Sequence, residues 1–86
     1  MPKVIWKFPF GLTSDIAIEM PVGAEVVAVG QQGVRGCLWA ICDPSAGIWM
    51  REFTMVGTGM AYDDDLVHVG TWFDDSYVWH LLEAPR

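Results

Sequence analysis

The chain has 86 residues, enough for one domain and no more. Apolar residues make up 52% of it and five are Trp, which excludes a disordered polar tail. Eleven acidic against five basic side chains give a net charge of −6, a balance that argues against broad contact with a nucleic-acid backbone.

Turn signals recur about every ten residues and the runs between them are rich in Val, Ile, Trp and Phe, the rhythm of an all-β domain. Residues 3–9 alternate, with Val4, Trp6 and Phe8 facing one way and Lys3, Ile5 and Lys7 the other. Pro9 ends that strand or places it on an edge, because it donates nothing to a ladder. In residues 14–20, Ile16, Ile18 and Met20 point inward while Asp15 and Glu19 point out. After the turn at 21–23, the nearly continuous apolar run of 24–30 predicts a central strand. The glycine of "QQG" at 31–33 suits a hairpin. The next strand, "VRGCLWAICD", is the most apolar, and "DPSAG" at 43–47 closes it with an Asp-Pro turn. In 48–57, Trp49, Arg51, Phe53 and Met55 share one face. Residues 57–65 are the longest irregular stretch, in which the Asp run caps at most one short helical turn. The last two strands, "LVHVGTWF" and "YVWHLLE", are joined by a tight turn at "DDS". No stretch keeps a 3.6-residue apolar period, so little helix is expected. Six or seven short antiparallel strands in a single domain leave two architectures, a compact sandwich of two small sheets or a partly open barrel, with the sandwich slightly preferred.

Cys37 and Cys42 lie in one predicted strand at odd separation, hence on opposite faces, and do not bridge each other. They read as reduced, buried thiols of a cytosolic protein, too few for a disulfide framework or a four-ligand zinc site. The opening "MPKVIWKFPF" lacks the features of a signal peptide, and no apolar run approaches the ~20 residues of a membrane span. The expected location is the cytoplasm.

The candidate site residues concentrate in the last third of the chain. Asp63, Asp64 and Asp65 are consecutive, and Asp74 and Asp75 follow at the next turn. An eight-residue strand between them sets the groups roughly 25 Å apart, too far to share one metal. They read as solvated turn and capping residues, or as an acidic contact surface. His68 and His80 sit on the two strands of the last hairpin. A two-residue loop places them on opposite faces, and a three-residue loop on the same face. The pair has no evident third ligand, and no Ser stands in a nucleophile elbow. Gly57, Thr58 and Gly59 form a short loop that suits either a sharp strand exit or a nest of N–H groups for phosphate, with Tyr62 nearby to stack a base. Trp72 and Trp79 face either the core or solvent; in solvent they make a stacking platform or a protein-binding hot spot. Trp6, Trp39 and Trp49 fit core positions in their strands.

The segments "VIWKFPF", "IEMPVGAEVVAV", "CLWAICDP" and "REFTMVGTG" together resemble a family of small bacteriophage and prophage proteins of unknown function. Its members carry I-W-K-[YF]-P, M-P-x-G-A, C-L-W-A-x-x-D-P and F-x-x-x-G-T-G. These fall here at Ile5–Pro9, Met20–Ala24, Cys37–Pro44 and Phe53–Gly59, in order and across most of the chain. The resemblance implies a phage-encoded cytosolic protein and no catalytic residue. The family's final turn is often Gly-rich, whereas this chain has Asp74, Asp75 and Ser76.

The leading expectation is a non-enzymatic binding or inhibitor protein that occupies a basic surface of a bacterial host protein, such as an anti-phage defence component. After Arg51 the chain has seven acids and one base, Arg86, a bias that steers toward a basic cleft. No cofactor, metal, membrane or direct nucleic-acid contact is expected, and a homodimer is favoured over a monomer. One alternative is sequestration of a small nucleotide-like signal at a Trp- and Gly-rich subunit interface, with Arg35 or Arg51 countering the phosphate charge. Another is a small hydrolase or lyase that uses His68 or His80.

Overall fold

The computed structural model describes residues 2–86. Seven strands follow in chain order: β1 (Val4–Phe10), β2 (Asp15–Pro21), β3 (Glu25–Gln32), β4 (Arg35–Cys42), β5 (Ile48–Gly57), β6 (Val67–Asp74) and β7 (Tyr77–Glu83). They pair antiparallel into a three-stranded sheet, β1-β4-β3, and a four-stranded sheet, β2-β5-β7-β6. The two sheets stack as a small sandwich, not a closed barrel. There is no helix among the described residues.

Strand periodicity builds the interior. Ile16, Ile18 and Met20 of β2 face it, as do Leu38, Ala40 and Cys42 of β4, Phe53 and Met55 of β5, and Leu81 of β7. Phe10 closes one end and lies edge-on to Trp72, ring centroids 6.1 Å apart at 72°. Gly36 is required beneath that ring, since a Cβ there would stand 2.2 Å from Phe10 Cε1. Asp43 organises the β4–β5 turn by accepting from the Ser45 amide at 2.9 Å and the Ser45 hydroxyl at 2.7 Å, and these bonds hold its carboxyl below the usual range.

Several sequence expectations change in three dimensions. The apolar run of β3 predicted a central strand; β3 is an edge, and β4 is the centre of its sheet. The run reads as continuous because a bulge between Val26 and Ala28 breaks the alternation and leaves Val27 46% exposed. Pro9 lies within β1, which is the other edge strand of that sheet. Trp6 and Trp49, expected inside, are 41% and 50% exposed. Trp72 takes the core place instead, with its indole N–H donating to Gln31 Oε1 at 3.1 Å. Cys37 and Cys42 occupy opposite faces of β4, both buried and both free thiols.

Arg51 is buried too. Its Nε and Nη2 donate to the two carboxylate oxygens of Glu83 at 2.6 and 2.8 Å, and Nη1 donates to the Ala24 carbonyl at 2.5 Å. These bonds tie β5, β7 and the β2–β3 turn together, and the guanidinium also lies 5.9 Å from the Phe53 ring centroid.

Candidate functional site: the crossover and the last hairpin

β5 and β6 both run antiparallel to β7, which lies between them. They therefore run in the same direction, and the chain leaving β5 must travel back across β7 to begin β6. Residues 58–66 make this crossover on the outer face of the four-stranded sheet. Val56 and Leu82 point out from that face, yet they are 6% and 1% exposed. A pocket of about 230 Å³ lies here, with Val56 and Leu82 among its lining together with Thr58, Met60, Tyr62, His68 and His80.

The two imidazoles share this face, and the route to it was not visible in the sequence. Asp74 pairs with Tyr77, so the hairpin has a two-residue loop of Asp75 and Ser76, with Asp75 at φ 50°. In a regular hairpin of that kind His68 would point inward with Trp72. A bulge between His68 and Gly70 reverses its side, placing it opposite Leu82 while Thr71 stands opposite His80. Gly70 belongs to the same device: a Cβ there would lie 2.4 Å from Val29 Cγ2, where β3 and β6 close one side of the sandwich.

A continuous hydrogen-bonded chain results. His68 Nε2 meets Thr71 Oγ1, Thr71 Oγ1 meets His80 Nδ1, and His80 Nε2 meets Thr58 Oγ1, each at 2.8 Å. The Thr58 hydroxyl also reaches the Val78 carbonyl at 3.4 Å. Through Thr58 these bonds latch the crossover to β6 and β7.

The amides of the Gly57–Gly59 loop are largely spent inside the protein. Thr58 N–H donates to Val78 O at 3.1 Å, Met60 N–H to Gly57 O at 3.1 Å, and Gly57 N–H to Met60 Sδ at 3.2 Å. Two of the loop's amides, those of Gly57 and Thr58, are thus taken up as the chain leaves β5, with Gly59 at φ 91°. Neither arginine proposed to counter a phosphate lines this pocket. Arg51 is committed to Glu83, and Arg35 starts β4 in the other sheet.

Trp72 and Trp79 are cross-strand partners but make no exposed pair, since Trp72 is 4% exposed and Trp79 packs half-buried against the core. The exposed aromatic surface lies one step further along the hairpin. Tyr77, 61% exposed, stacks on Trp79 with ring centroids 5.6 Å apart at 17°. Phe73, 77% exposed, points from the opposite face of the hairpin, since it pairs with Val78 while Asp74 pairs with Tyr77, and Asp74 and Asp75 lead from it into the turn. Met60 Sδ and the Trp79 ring approach Gly57 together, joining the start of the crossover to this end. Asp63, Asp64 and Asp65 are exposed at the far end of β6, and the Leu66 amide closes a turn on Asp63 O at 3.1 Å. Phe73 and Tyr77 were not among the residues expected at a site; their place beside the acidic turn was the available signal in the sequence.

These features define a small two-sheet β-sandwich whose larger sheet carries a latched crossover and an aromatic, acidic hairpin tip. The chain belongs to the family described as Domain of unknown function (DUF7352), whose model matches residues 1–86. No curated protein and no solved structure matches it.

Proposed function

We propose that this is a non-enzymatic binding protein that engages a basic surface of another protein through the tip of the β6–β7 hairpin. The single observation carrying the reading is that Phe73 and Tyr77, 77% and 61% exposed, flank Asp74 and Asp75 on a protein of net charge −6. Solvent-exposed aromatic rings are the residue type that dominates binding hot spots, and the adjoining carboxylates select a cationic counterpart and speed the encounter. The amides of Gly57 and Thr58, both taken by partners within the chain, weigh for a macromolecular partner over a phosphate ligand in that loop. The phage-type motifs extend the reading to a bacterial host protein, including a defence component that the protein occupies and inhibits.

The test is capture of partners from bacterial lysate by the wild-type chain and by two variants, Phe73→Ser/Tyr77→Ser and Asp74→Lys/Asp75→Lys. The expected result is one partner retained by the wild type, released by added salt and lost from both variants. Equal retention by all three, or binding indifferent to salt, refutes the reading.

A further inference from the structure

Three of the molecule's five cations gather on one sheet face. Of the other two, Arg51 is buried on Glu83, and Arg86, exposed just beyond the end of β7, lies 3.5 Å from the same carboxylate. The gathered three, Lys3, Lys7 and Arg35, are exposed. Strand alternation places all three on the outer face of the three-stranded sheet, Lys3 lying one residue before β1 and in phase with it. Lys7 Nζ donates to Gln32 Oε1 at 2.9 Å, which confirms that both side chains lie on this face. Glu25 is the acid within it, and Asp43 stands at its margin near Lys3. Between Lys3 and Lys7 stands Ile5, 63% exposed, and half-buried Trp39 and Ile41 continue the apolar surface.

The outer face of the four-stranded sheet is the complement. β2 exposes Asp15, Ala17 and Glu19 at alternate positions, so its two carboxylates are four residues apart, as Lys3 and Lys7 are. In extended chain both spacings are about 13 Å. Ala17 lines a groove of about 310 Å³ together with Asp15, Glu52, Thr54 and Ala84. Ile48 and Met50, 63% and 52% exposed, continue that face as apolar surface.

We infer that the outer face of the three-stranded sheet docks on the outer face of the four-stranded sheet of a second copy of this chain. Ile5 enters the Ala17 groove, and Lys3 and Lys7 pair with Asp15 and Glu19. Two basic faces together would set three cations against three, offset only by Glu25 and Asp43, and two acidic faces would oppose Asp15, Glu19 and Glu52; the favoured contact is head to tail and leaves a free face at each end of the stack. The molecule measures 41 × 29 × 17 Å, and beyond the crossover the outer face of β2 and β5 is open to a partner. The hairpin tip takes no part, so this inference is independent of the proposed function.

Sedimentation velocity over about 10 μM to 1 mM tests it. Near 0.1 M salt the repulsion between copies of net charge −6 is screened beyond ~10 Å while close pairs persist. The expected result is a mean mass that climbs with concentration past the dimer and falls as salt is raised. Lys3→Glu/Lys7→Glu and Asp15→Lys/Glu19→Lys, each checked for native circular dichroism, associate at least about tenfold more weakly alone. Mixed together they associate again, because each supplies the charge the other lost. A wild type that stays monomeric, a closed dimer indifferent to salt, or a mixture no better than its components overturns the inference.

Discussion

Replacement of Glu83 by Ala tests the energetic centre of the fold. Arg51 and Glu83 are 4% and 8% exposed, and their two parallel hydrogen bonds of 2.6 and 2.8 Å satisfy the carboxylate. Without it, the guanidinium keeps one partner, the Ala24 carbonyl, in a place water barely reaches. Breaking a buried pair from one side costs about 3–5 kcal/mol. A domain of this length holds about 4–13 kcal/mol in all, at roughly 0.05–0.15 kcal/mol per residue. Glu83→Ala therefore removes between a quarter and all of the stability. Urea unfolding followed by Trp fluorescence measures it; with a slope near 1–2 kcal/mol per M, the midpoint falls by roughly 1.5–5 M. The double replacement Arg51→Met/Glu83→Leu removes both charges together and stays within about 2 kcal/mol of wild type. A midpoint change below about 0.5 M in Glu83→Ala refutes the argument. So does a double variant as unstable as the single one, which would mean that the pair's own attraction, and not the stranded charge, carries the energy.

Three further outcomes are expected. Gly70→Ala drives a methyl group to 2.4 Å from Val29 Cγ2 and costs about 1–3 kcal/mol in the same urea experiment, and adding Val29→Ala recovers part of the loss. Thr71→Val removes the bridge between the imidazoles, so hydrogen exchange in residues 58–66 accelerates while global stability falls by only about 1 kcal/mol; unchanged exchange would remove the latch from the account. Burial pushes the Cys42 thiol above its ordinary range, so its contribution to stability is intact below that range and is lost as pH rises through the raised native value. Because both thiols are buried, they should resist a disulfide reagent near pH 8 until urea is added, and rapid labelling of the native protein would contradict that burial.

Much of the fold was legible because period-two patterning is a local signal. The inward set Ile16, Ile18 and Met20, the shared face of Arg51, Phe53 and Met55, and the opposed cysteines could each be read from a few neighbouring letters. The bulges could not. Val27 and Val69 look like ordinary strand residues, and their irregularity shows only against the partner strand. The site suffered most from this, since the side taken by His68 turns on the second bulge. The exposure of the Trp residues was equally non-local: Trp72 is inside because Phe10 and Gln31 from the other sheet receive it, while Trp6 and Trp49 stand where the sheets cover less.

By itself, then, the order of residues determined an antiparallel all-β domain, the approximate limits of its strands and its acidic character, since each follows from alternation, turn chemistry and a sum of charges. Tertiary structure alone decided which strands are edges, that the chain between β5 and β6 crosses β7 and is held there by Thr58, Thr71 and two imidazoles, and that the free cations gather on one face. The physical reason is that pairing partners and faces are set by contacts between residues far apart in the chain, and a one-residue bulge, nearly silent in the sequence, exchanges inside for outside.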